Sequence, residues 1–196
     1  MIRYDPKTNR YRMPDGKFVS KKQIRASVDK TVEILRLDMR GLGKQLAMNK
    51  ITLPEFQIQM RDKLKTAHSL TASIGRGGRK QMTNSDWATV GNNLKKQYGY
   101  LNKFALGLEN GTISTASIES RAAAYAMSIR EPFYKQQTKA EKLSGRTKCR
   151  RVLHAKESCS ECASWAGRGF VEIDEQPDIG ELICGNFCRC EIEYQT

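Results

Sequence analysis

The six cysteines constrain this chain more than any other feature, because all of them lie in its last quarter. Five form two close groups. Two residues separate Cys159 from Cys162, and Cys184, Cys188 and Cys190 follow after a further twenty-one residues. Such groups joined by a short segment are typical of structural zinc sites, since zinc prefers about four soft ligands in a tetrahedron. The spacing therefore predicts a zinc ion held by thiolates from two separate turns.

Five thiols are more than one zinc ion needs, so the spacing leaves part of the ligand set open. Three ligands are expected: Cys159, Cys162 and Cys184. The fourth is Cys188 or Cys190, which would face the same side of an extended strand because side chains alternate. Cys149 is expected to be a lone thiol. His154 is expected at the surface or beside the site rather than on the metal.

Three other roles for these cysteines stay open. Disulfides would suit an extracellular protein, whereas clustered cysteines in a reducing cytosol more often bind metal. A catalytic zinc would keep one coordination position for water and need a nearby general base. The four residues from Cys159 to Cys162 could form a redox dithiol in isolation. The surplus of thiols favours a closed structural shell, and the second cysteine group argues against a dithiol.

Charge divides the chain at nearly the same place as the cysteines. The net charge is +13; residues 1–145 hold 27 basic and 12 acidic side chains, and residues 146–196 hold 7 and 9. Three segments are predicted: an N-terminal hairpin or arm at 1–20, a basic helical body at 21–145 and a cysteine-rich zinc-binding module at 146–196. The excess charge on the body favours contact with nucleic acid or an acidic protein surface.

The part of the chain before residue 146 has the apolar spacing of α-helices. A turn at residues 14–16 (Pro-Asp-Gly) between short β-like pieces predicts an N-terminal hairpin. Ser20 and Gln23 form a capping-box pattern, and the apolar residues that follow recur in steps of three and four. Further helix boundaries are expected at Thr52, Ser85, Asn110 and Thr115. Pro132 should kink or end the fourth helix, with renewed helix through Lys142 as the alternative to a complete stop. We therefore expect a mainly α fold: an elongated helical body with a small β or α+β zinc module.

A glycine-rich segment, Gly-Arg-Gly-Gly-Arg-Lys at residues 75–80, interrupts the helical pattern. Three glycines in four positions break a helix, and the adjacent cations favour contact with phosphate or carboxylate groups. Arg76, Arg79 and Lys80 are therefore candidate contacts for nucleic acid or an acidic partner. The alternative is a mobile, solvated loop. The segment lacks the GxxxxGK[ST] pattern of a phosphate-binding loop.

The remaining sequence favours neither a membrane protein nor an enzyme. With 39% hydrophobic residues the chain can build a packed core. No apolar run approaches the roughly 18 residues of a membrane helix, and no signal-peptide stretch opens the chain. Only two histidines occur, His68 and His154, and the GxSxG, HExxH and GxGxxG patterns are missing. We expect a non-enzyme, assembled in the cytosol, that does not contact a membrane.

Short pieces of residues 121–194 occur in a distinctive order. They are RAAAYA at 121–126, RRVL at 150–153, CSEC at 159–162, AGRGF at 166–170, IGEL at 179–182 and CRC at 188–190. In this order they resemble the C-terminal part of tailed-phage head-morphogenesis, or minor head, proteins. Many members of that family have a His-Pro-Asn segment before Cys-Arg-Cys. Here residues 184–187 are Cys-Gly-Asn-Phe, which is one residue longer and replaces histidine with another zinc ligand.

The resemblance implies a structural protein of the phage head near the portal vertex, in contact with portal or major capsid subunits. It places the chain in the virion, assembled in the host cytoplasm, in multiple copies around a ring, and possible contact with packaged DNA follows from the basic body. The alternative function is a nucleic-acid-binding zinc-ribbon regulator or DNA-packaging accessory. Residues 152–196 hold three basic side chains against nine acidic ones, so nucleic acid would be contacted by the helical body.

Overall fold

The structure, a computed structural model, describes residues 3–5, 8 and 10–195. This part of the chain is mainly α-helical, with a small antiparallel sheet near each end. The predicted fold class, mainly α with short β elements at the termini, is confirmed. In the described part of the chain, no helix combines the length and the apolar character needed to cross a membrane.

Three short strands form the N-terminal sheet, in the antiparallel order β1 (Arg3–Asp5), β2 (Arg10–Arg12) and β3 (Phe18–Val19). The predicted hairpin joins β2 to β3: the Met13 N–H donates to the Lys17 carbonyl at 2.8 Å, and Gly16 adopts a φ of +82°. The sequence did not predict β1. Tyr4 and Tyr11 pair across β1 and β2 with ring centroids 5.0 Å apart, and both are buried. One face of this sheet is therefore core.

The first two helices begin where the sequence predicts, the first at its predicted capping box and the second at Thr52. In α1 (Lys21–Ala47) the Gln23 N–H donates to Ser20 Oγ at 3.2 Å, and the Ser20 N–H donates to Gln23 Oε1 at 2.9 Å. Thr52 and Glu55 make the same reciprocal pair before α2 (Leu53–Arg76). The apolar residues at steps of three and four in α1 run from Ile24 to Leu46, and all of these seven except Leu46 are buried: Ile24, Val28, Val32, Leu35, Met39 and Leu42.

The third helix, α3 (Asn84–Glu109), is capped by Thr83 and Asp86, which form a capping box. It begins within two residues of the predicted start. It ends at the predicted Asn-Gly pair, where Gly111 adopts a φ of +67°. The left-handed conformation that terminates a helix is one that glycine adopts without a steric penalty.

Proline begins a helix here rather than ending one, which corrects the expectation for Pro132. After α4 (Ile118–Ala124), a 3-10 turn at Tyr125–Ile129 leads into α5 (Arg130–Leu143). Pro132 lies in the first turn of α5 and is buried. In that turn a residue needs no backbone N–H donor, so the ring fixes a helical φ without losing a hydrogen bond.

The glycine-rich segment is packed, so the expectation of a solvated loop is wrong for its glycines. α2 continues through Gly75, where an added Cβ would lie 2.1 Å from the carbonyl oxygen of Phe133. Gly77 has a φ of +95°, and its carbonyl accepts the Tyr4 N–H at 2.7 Å. Both positions require glycine, because a side chain would collide with neighbouring atoms. The 3-10 turn Arg79–Gln81 follows directly.

The chain divides into two compact units. The helical unit comprises Ala26–Leu70 and Thr83–Ile129. The sheet unit comprises the described residues up to Arg25, Thr71–Met82 and the described residues from Arg130 onward. In the helical unit, Phe56 and Phe104 meet edge to face with centroids 6.1 Å apart. Residues 146–195 lie in the same unit as the N-terminal sheet, and their folding as an autonomous module stays a prediction.

The C-terminal sheet has the order β5-β4-β6, and both of its strand pairs are antiparallel. Its elements are β4 (Lys148–Val152), α6 (Ser160–Gly167), β5 (Val171–Glu172) and β6 (Glu191–Gln195). Side chains alternate along β4, so Cys149 and Arg151 are buried while Lys148 and Arg150 are exposed. The alternation places an arginine on the inner face of the central strand.

Candidate metal centre

Each of the five clustered cysteines lies where an element begins or ends. Cys159 is the N-cap of α6, and Cys162 lies in the first turn of that helix. Cys184 and Cys188 flank a 3-10 turn of three residues. Cys190 immediately precedes β6. The cluster therefore joins the start of α6 to the entry of the edge strand β6, across more than twenty residues of chain.

The five sulfurs form two overlapping groups: Cys159, Cys162 and Cys184 in one, and Cys162, Cys188 and Cys190 in the other. Within each group the sulfur atoms lie within 4.8 Å of one another. The Cys162 Sγ lies 3.5 Å from the Cys184 Sγ and 3.8 Å from the Cys188 Sγ. Zinc–sulfur bonds of about 2.3 Å in a tetrahedron would place sulfurs about 3.8 Å apart. The cluster can hold a metal ion, and Cys162 is common to both groups.

All six cysteines carry free thiols. The sulfur separations in the cluster are far longer than a disulfide bond of about 2.05 Å. Cys149 belongs to neither group. It is buried on β4, and burial raises the pKa of its thiol to about 11. A buried, neutral thiol of this kind behaves as a small apolar side chain.

Two kinds of N–H donor point at the sulfurs. The Cys162 backbone N–H donates to the Cys159 Sγ at 3.4 Å, because Cys159 occupies the N-cap of α6. The Arg151 Nη1 donates to the Cys162 Sγ at 3.7 Å and to the Cys188 Sγ at 3.6 Å. Hydrogen bonds to a thiolate favour its charged form, which is the form that binds metal.

The clustered thiols ionise unequally. A hydrogen bond from Cys190 lowers the pKa of Cys188 to about 5, and the charge of Arg151 acts in the same direction. The same bond raises the pKa of Cys190. Burial raises the pKa values of Cys162 and Cys184. The pKa of Cys188 is thus lowered while those of Cys162, Cys184 and Cys190 are raised, so Cys188 becomes a thiolate more readily than these three neighbours.

The segment that delivers Cys184 is fixed by polar contacts on both sides. The Ile183 N–H donates to Glu161 Oε2 on α6 at 2.7 Å. Lys135 on α5 lies 3.5 Å from the Asp178 carboxylate and 3.3 Å from that of Glu181. These contacts anchor the loop between β5 and the second cysteine group to α5 and α6, and this fixes the position from which Cys184 reaches the cluster.

The other candidate residues lie outside the cluster. The His154 Nε2 is 3.2 Å from the Glu191 carboxylate, its side chain is half exposed, and it belongs to neither sulfur group. Arg76 is half-buried at the end of α2, and Arg79 and Lys80 are exposed in the following turn. Their contact with nucleic acid or an acidic partner stays a prediction.

Sequence reasoning missed Arg151 as part of the site. The residue lies in the RRVL piece, and strand alternation places it on the same face as Cys149, a residue type that is commonly buried. This alternation indicates that Arg151 faces inward. It does not indicate what the guanidinium contacts, because its sulfur and carbonyl partners are 11 to 37 residues away along the chain.

Comparison of the chain with protein families, with curated proteins and with solved structures finds no match. The resemblance to phage minor head proteins therefore depends on the short pieces of residues 121–194 alone. The geometry of the cysteine cluster stands independently of that resemblance.

Proposed function

We propose that this chain is a structural protein whose cysteine cluster holds one zinc ion as a staple. The observation that carries the proposal is the convergence of five thiols, from the start of α6 and the approach to β6, in two groups of three that share Cys162. The Cys162 sulfur lies 3.5 and 3.8 Å from the sulfurs of Cys184 and Cys188, close to the sulfur spacing of a tetrathiolate site. Zinc is the expected metal because soft thiolate ligands in a tetrahedral arrangement suit it and it brings no redox chemistry.

The staple would stabilise a part of the sheet unit that has little regular secondary structure. β5 contains only two residues, and much of residues 174–187 has no regular secondary structure. A metal ion that binds the folded form and not the unfolded chain adds its binding free energy to folding. Four sulfurs complete the shell and leave no position for substrate, which favours a structural role over a catalytic one.

Within that role, we propose a tailed-phage head protein that binds portal or capsid subunits in the virion. The short pieces that carry the resemblance support it, because four of them lie in or beside the cysteine cluster. They are RRVL, which contains Arg151, then CSEC, IGEL and CRC. Arg151 contacts Cys162 and Cys188, and the IGEL piece follows the carbonyls that Arg151 binds. The order of these pieces thus corresponds to one packed site.

Metal content of the purified full chain tests the staple. Elemental analysis of protein prepared without chelator should give about one zinc per chain, and C159S should lose it. C149A is the matched control, since Cys149 is a buried cysteine outside both sulfur groups. Zinc-free wild-type protein, or equal zinc loss in both variants, would overturn the proposal.

Particle association tests the virion role separately. Phage particles purified from cells that express the chain from its own genome should contain it in a low, fixed ratio to portal protein, detected by quantitative mass spectrometry. Its absence from particles that are complete in portal and major capsid protein would contradict the role. That result would leave the zinc measurement unaffected.

A second candidate, a nucleic-acid-binding accessory, is favoured by one observation in the N-terminal sheet. The Arg10 and Arg12 guanidinium groups lie 4.8 and 4.0 Å from the centroid of the Phe18 ring, which is 48% exposed. Stacking on the ring orders both arginines before a phosphate binds, which lowers the entropy cost of contact. Residues 1–25 hold eight basic and two acidic side chains, so the positive charge is dense there.

Salt dependence separates this function from bulk charge attraction. If the sheet binds phosphates, R10Q/R12Q should weaken binding to a single-stranded oligonucleotide and reduce the slope of log K against log salt by about 1.4. K95Q/K96Q removes the same charge from exposed positions of α3 and should leave binding nearly unchanged. Equal effects of the two double variants would contradict a specific role for the sheet.

A further inference from the structure

Arg151 is buried without a carboxylate partner. Its residue is 2% exposed, although it lies on the central strand of a small sheet. Among the described residues, its hydrogen-bond acceptors are two sulfurs and the carbonyls of Pro177 and Asp178, the latter at 2.5 and 3.5 Å. The Nε atom has no partner in the described part of the chain. No described carboxylate lies within 4 Å of the guanidinium.

A buried guanidinium needs negative charge, because arginine stays protonated in proteins and an unpaired buried charge is costly. The two carbonyls supply only dipoles. The remaining acceptors are the sulfurs of Cys162 and Cys188 at 3.7 and 3.6 Å. These compensate the arginine only as thiolates. A metal-bound tetrathiolate carries a net charge of minus two, so a cation beside it lowers the cost of burying the centre.

We propose that Arg151 is the counter-charge of the metal centre and that its contacts single out Cys188, rather than Cys190, as the fourth ligand. The inference rests on the proposed zinc site and deepens it. The guanidinium is a positioning residue: it stabilises thiolates at Cys162 and Cys188 and does not touch the metal. Cys190 is then the fifth thiol, outside the metal shell, and no described hydrogen bond joins it to Arg151.

The backbone around Cys190 is held by a different arginine. Arg130 Nη2 lies 3.4 Å from the carbonyl oxygens of Arg189 and of Cys190, and none of its described hydrogen bonds to this turn reaches a sulfur. The two buried arginines thus contact different parts of the second cysteine group. Arg130 fixes the main chain, while Arg151 contacts sulfur. The contrast provides a matched control for an experiment.

The ligand assignment is tested by a pair of serine variants in the full chain. Competition with a chromophoric chelator should show that C190S retains one zinc with an affinity within about threefold of wild type. C188S should lose stoichiometric zinc, and cobalt(II)-loaded C188S should show the weaker sulfur-to-metal charge transfer of a site with one sulfur fewer. The reverse pattern, with C190S losing zinc and C188S retaining it, would overturn the assignment.

The counter-charge is tested by R151M, R151K and R130M. Loss of an outer-shell partner typically costs 10- to 100-fold in metal affinity, and we expect R151M to fall in that range and R151K to recover part of the loss. Removing N–H donors raises the energy of the sulfur lone pairs. The cobalt charge-transfer band of R151M should therefore move to longer wavelength, while that of R130M should not, even though both variants lose a buried arginine.

The outcomes of these measurements are distinguishable. A wild-type chain that binds neither zinc nor cobalt defeats the zinc site itself. A wild type that binds metal, with R151M unchanged in both affinity and charge-transfer energy, defeats the role of Arg151 alone. If R151M is too unstable to load, R151K provides the same test. Lysine keeps the positive charge but lacks the planar fork of N–H donors of arginine, so the charge-transfer band of R151K should lie between that of wild type and the position expected without N–H donors. An R151K band at the wild-type wavelength with wild-type affinity contradicts the proposal.

Discussion

Gly75 lies so close to Phe133 that a Cβ atom on the glycine would be 2.1 Å from the phenylalanine carbonyl oxygen. The obstructing atom belongs to the backbone of α5, so it cannot rotate away as a side chain would. The last turn of α2 and the first turns of α5 therefore approach each other at a position that only glycine can occupy.

Alanine at this contact should destabilise the protein. We expect G75A to lower the free energy of unfolding by about 1–3 kcal/mol or more, the cost of overpacking against atoms that must shift. Urea denaturation measures it. G91A is the matched control: it adds the same methyl group within α3, where the described residues place no atom within 4 Å apart from the helix's own adjacent backbone, and should stabilise the chain by up to about 1 kcal/mol. Equal effects would contradict the contact.

A buried carboxylate in the sheet unit depends on a lysine. The Lys21 Nζ lies 2.6 Å from Glu141 Oε1, the Glu141 side chain is 1% exposed, and Arg146 is more distant at 3.9 Å. K21M should cost about 1–3 kcal/mol, less than the loss of a fully buried partner because Lys21 is partly exposed and Arg146 remains.

Removing both members of this pair should lower the free energy of unfolding by less than removing the lysine alone. In the double variant no carboxylate is left buried without its lysine partner. Thermal unfolding of K21M, E141M and K21M/E141M completes the double-mutant cycle. If the double variant is less stable than K21M by the full effect of E141M, the two groups are not coupled.

His68 should make the stability of the chain fall in acid. Burial lowers the pKa of this histidine to about 4, and its Nε2 lies 2.9 Å from Ser128 Oγ. Its folded-state pKa is below the usual value of about 6.5, so the neutral form is favoured in the fold. The stabilisation is complete above about pH 6.5 and decreases as the pH falls towards 4, by at most about 3 kcal/mol.

Urea midpoints measured from pH 7.5 to pH 4 check this. H68Q should be less stable at neutral pH and show a flatter profile than wild type. Acid release of metal affects both proteins, so the comparison between them isolates His68. Parallel profiles for wild type and H68Q would show that His68 does not titrate in the unfolding equilibrium.

Removing zinc should destabilise the sheet unit far more than it changes helical content. The cysteines cap α6 and precede β6, whereas α1, α2 and α3 contain most of the helical residues. Zinc at a thousandfold excess over its dissociation constant adds about 4 kcal/mol. Chelator or C159S should remove that stabilisation and change the near-ultraviolet signal of Trp165 in α6, with a small change in far-ultraviolet circular dichroism.

C149A serves as the control for this measurement, since it should bind zinc normally and lose only the modest stability of a truncated core side chain. A large loss of helical signal on metal removal would contradict the expectation. So would a chelator that leaves the melting temperature unchanged.

The amino-acid sequence by itself determined the local structure. The Ser20–Gln23 and Thr52–Glu55 pairs start their helices through contacts three residues apart, and apolar residues at steps of three and four select the buried face of α1. The cysteine spacing likewise identified the thiols that meet. Such features are readable because the interacting groups are close in the chain or repeat with a fixed period.

Only the tertiary structure decided which distant residues the buried glycine, arginine and cysteine side chains contact. Gly75 is packed against Phe133, 58 positions later, and Arg151 contacts Cys188 across 37 residues. The tertiary structure also placed the cysteine-rich segment in one unit with the N-terminal sheet. These outcomes depend on steric contact and charge compensation between distant parts of the chain, and no local propensity or spacing encodes which distant partner is met.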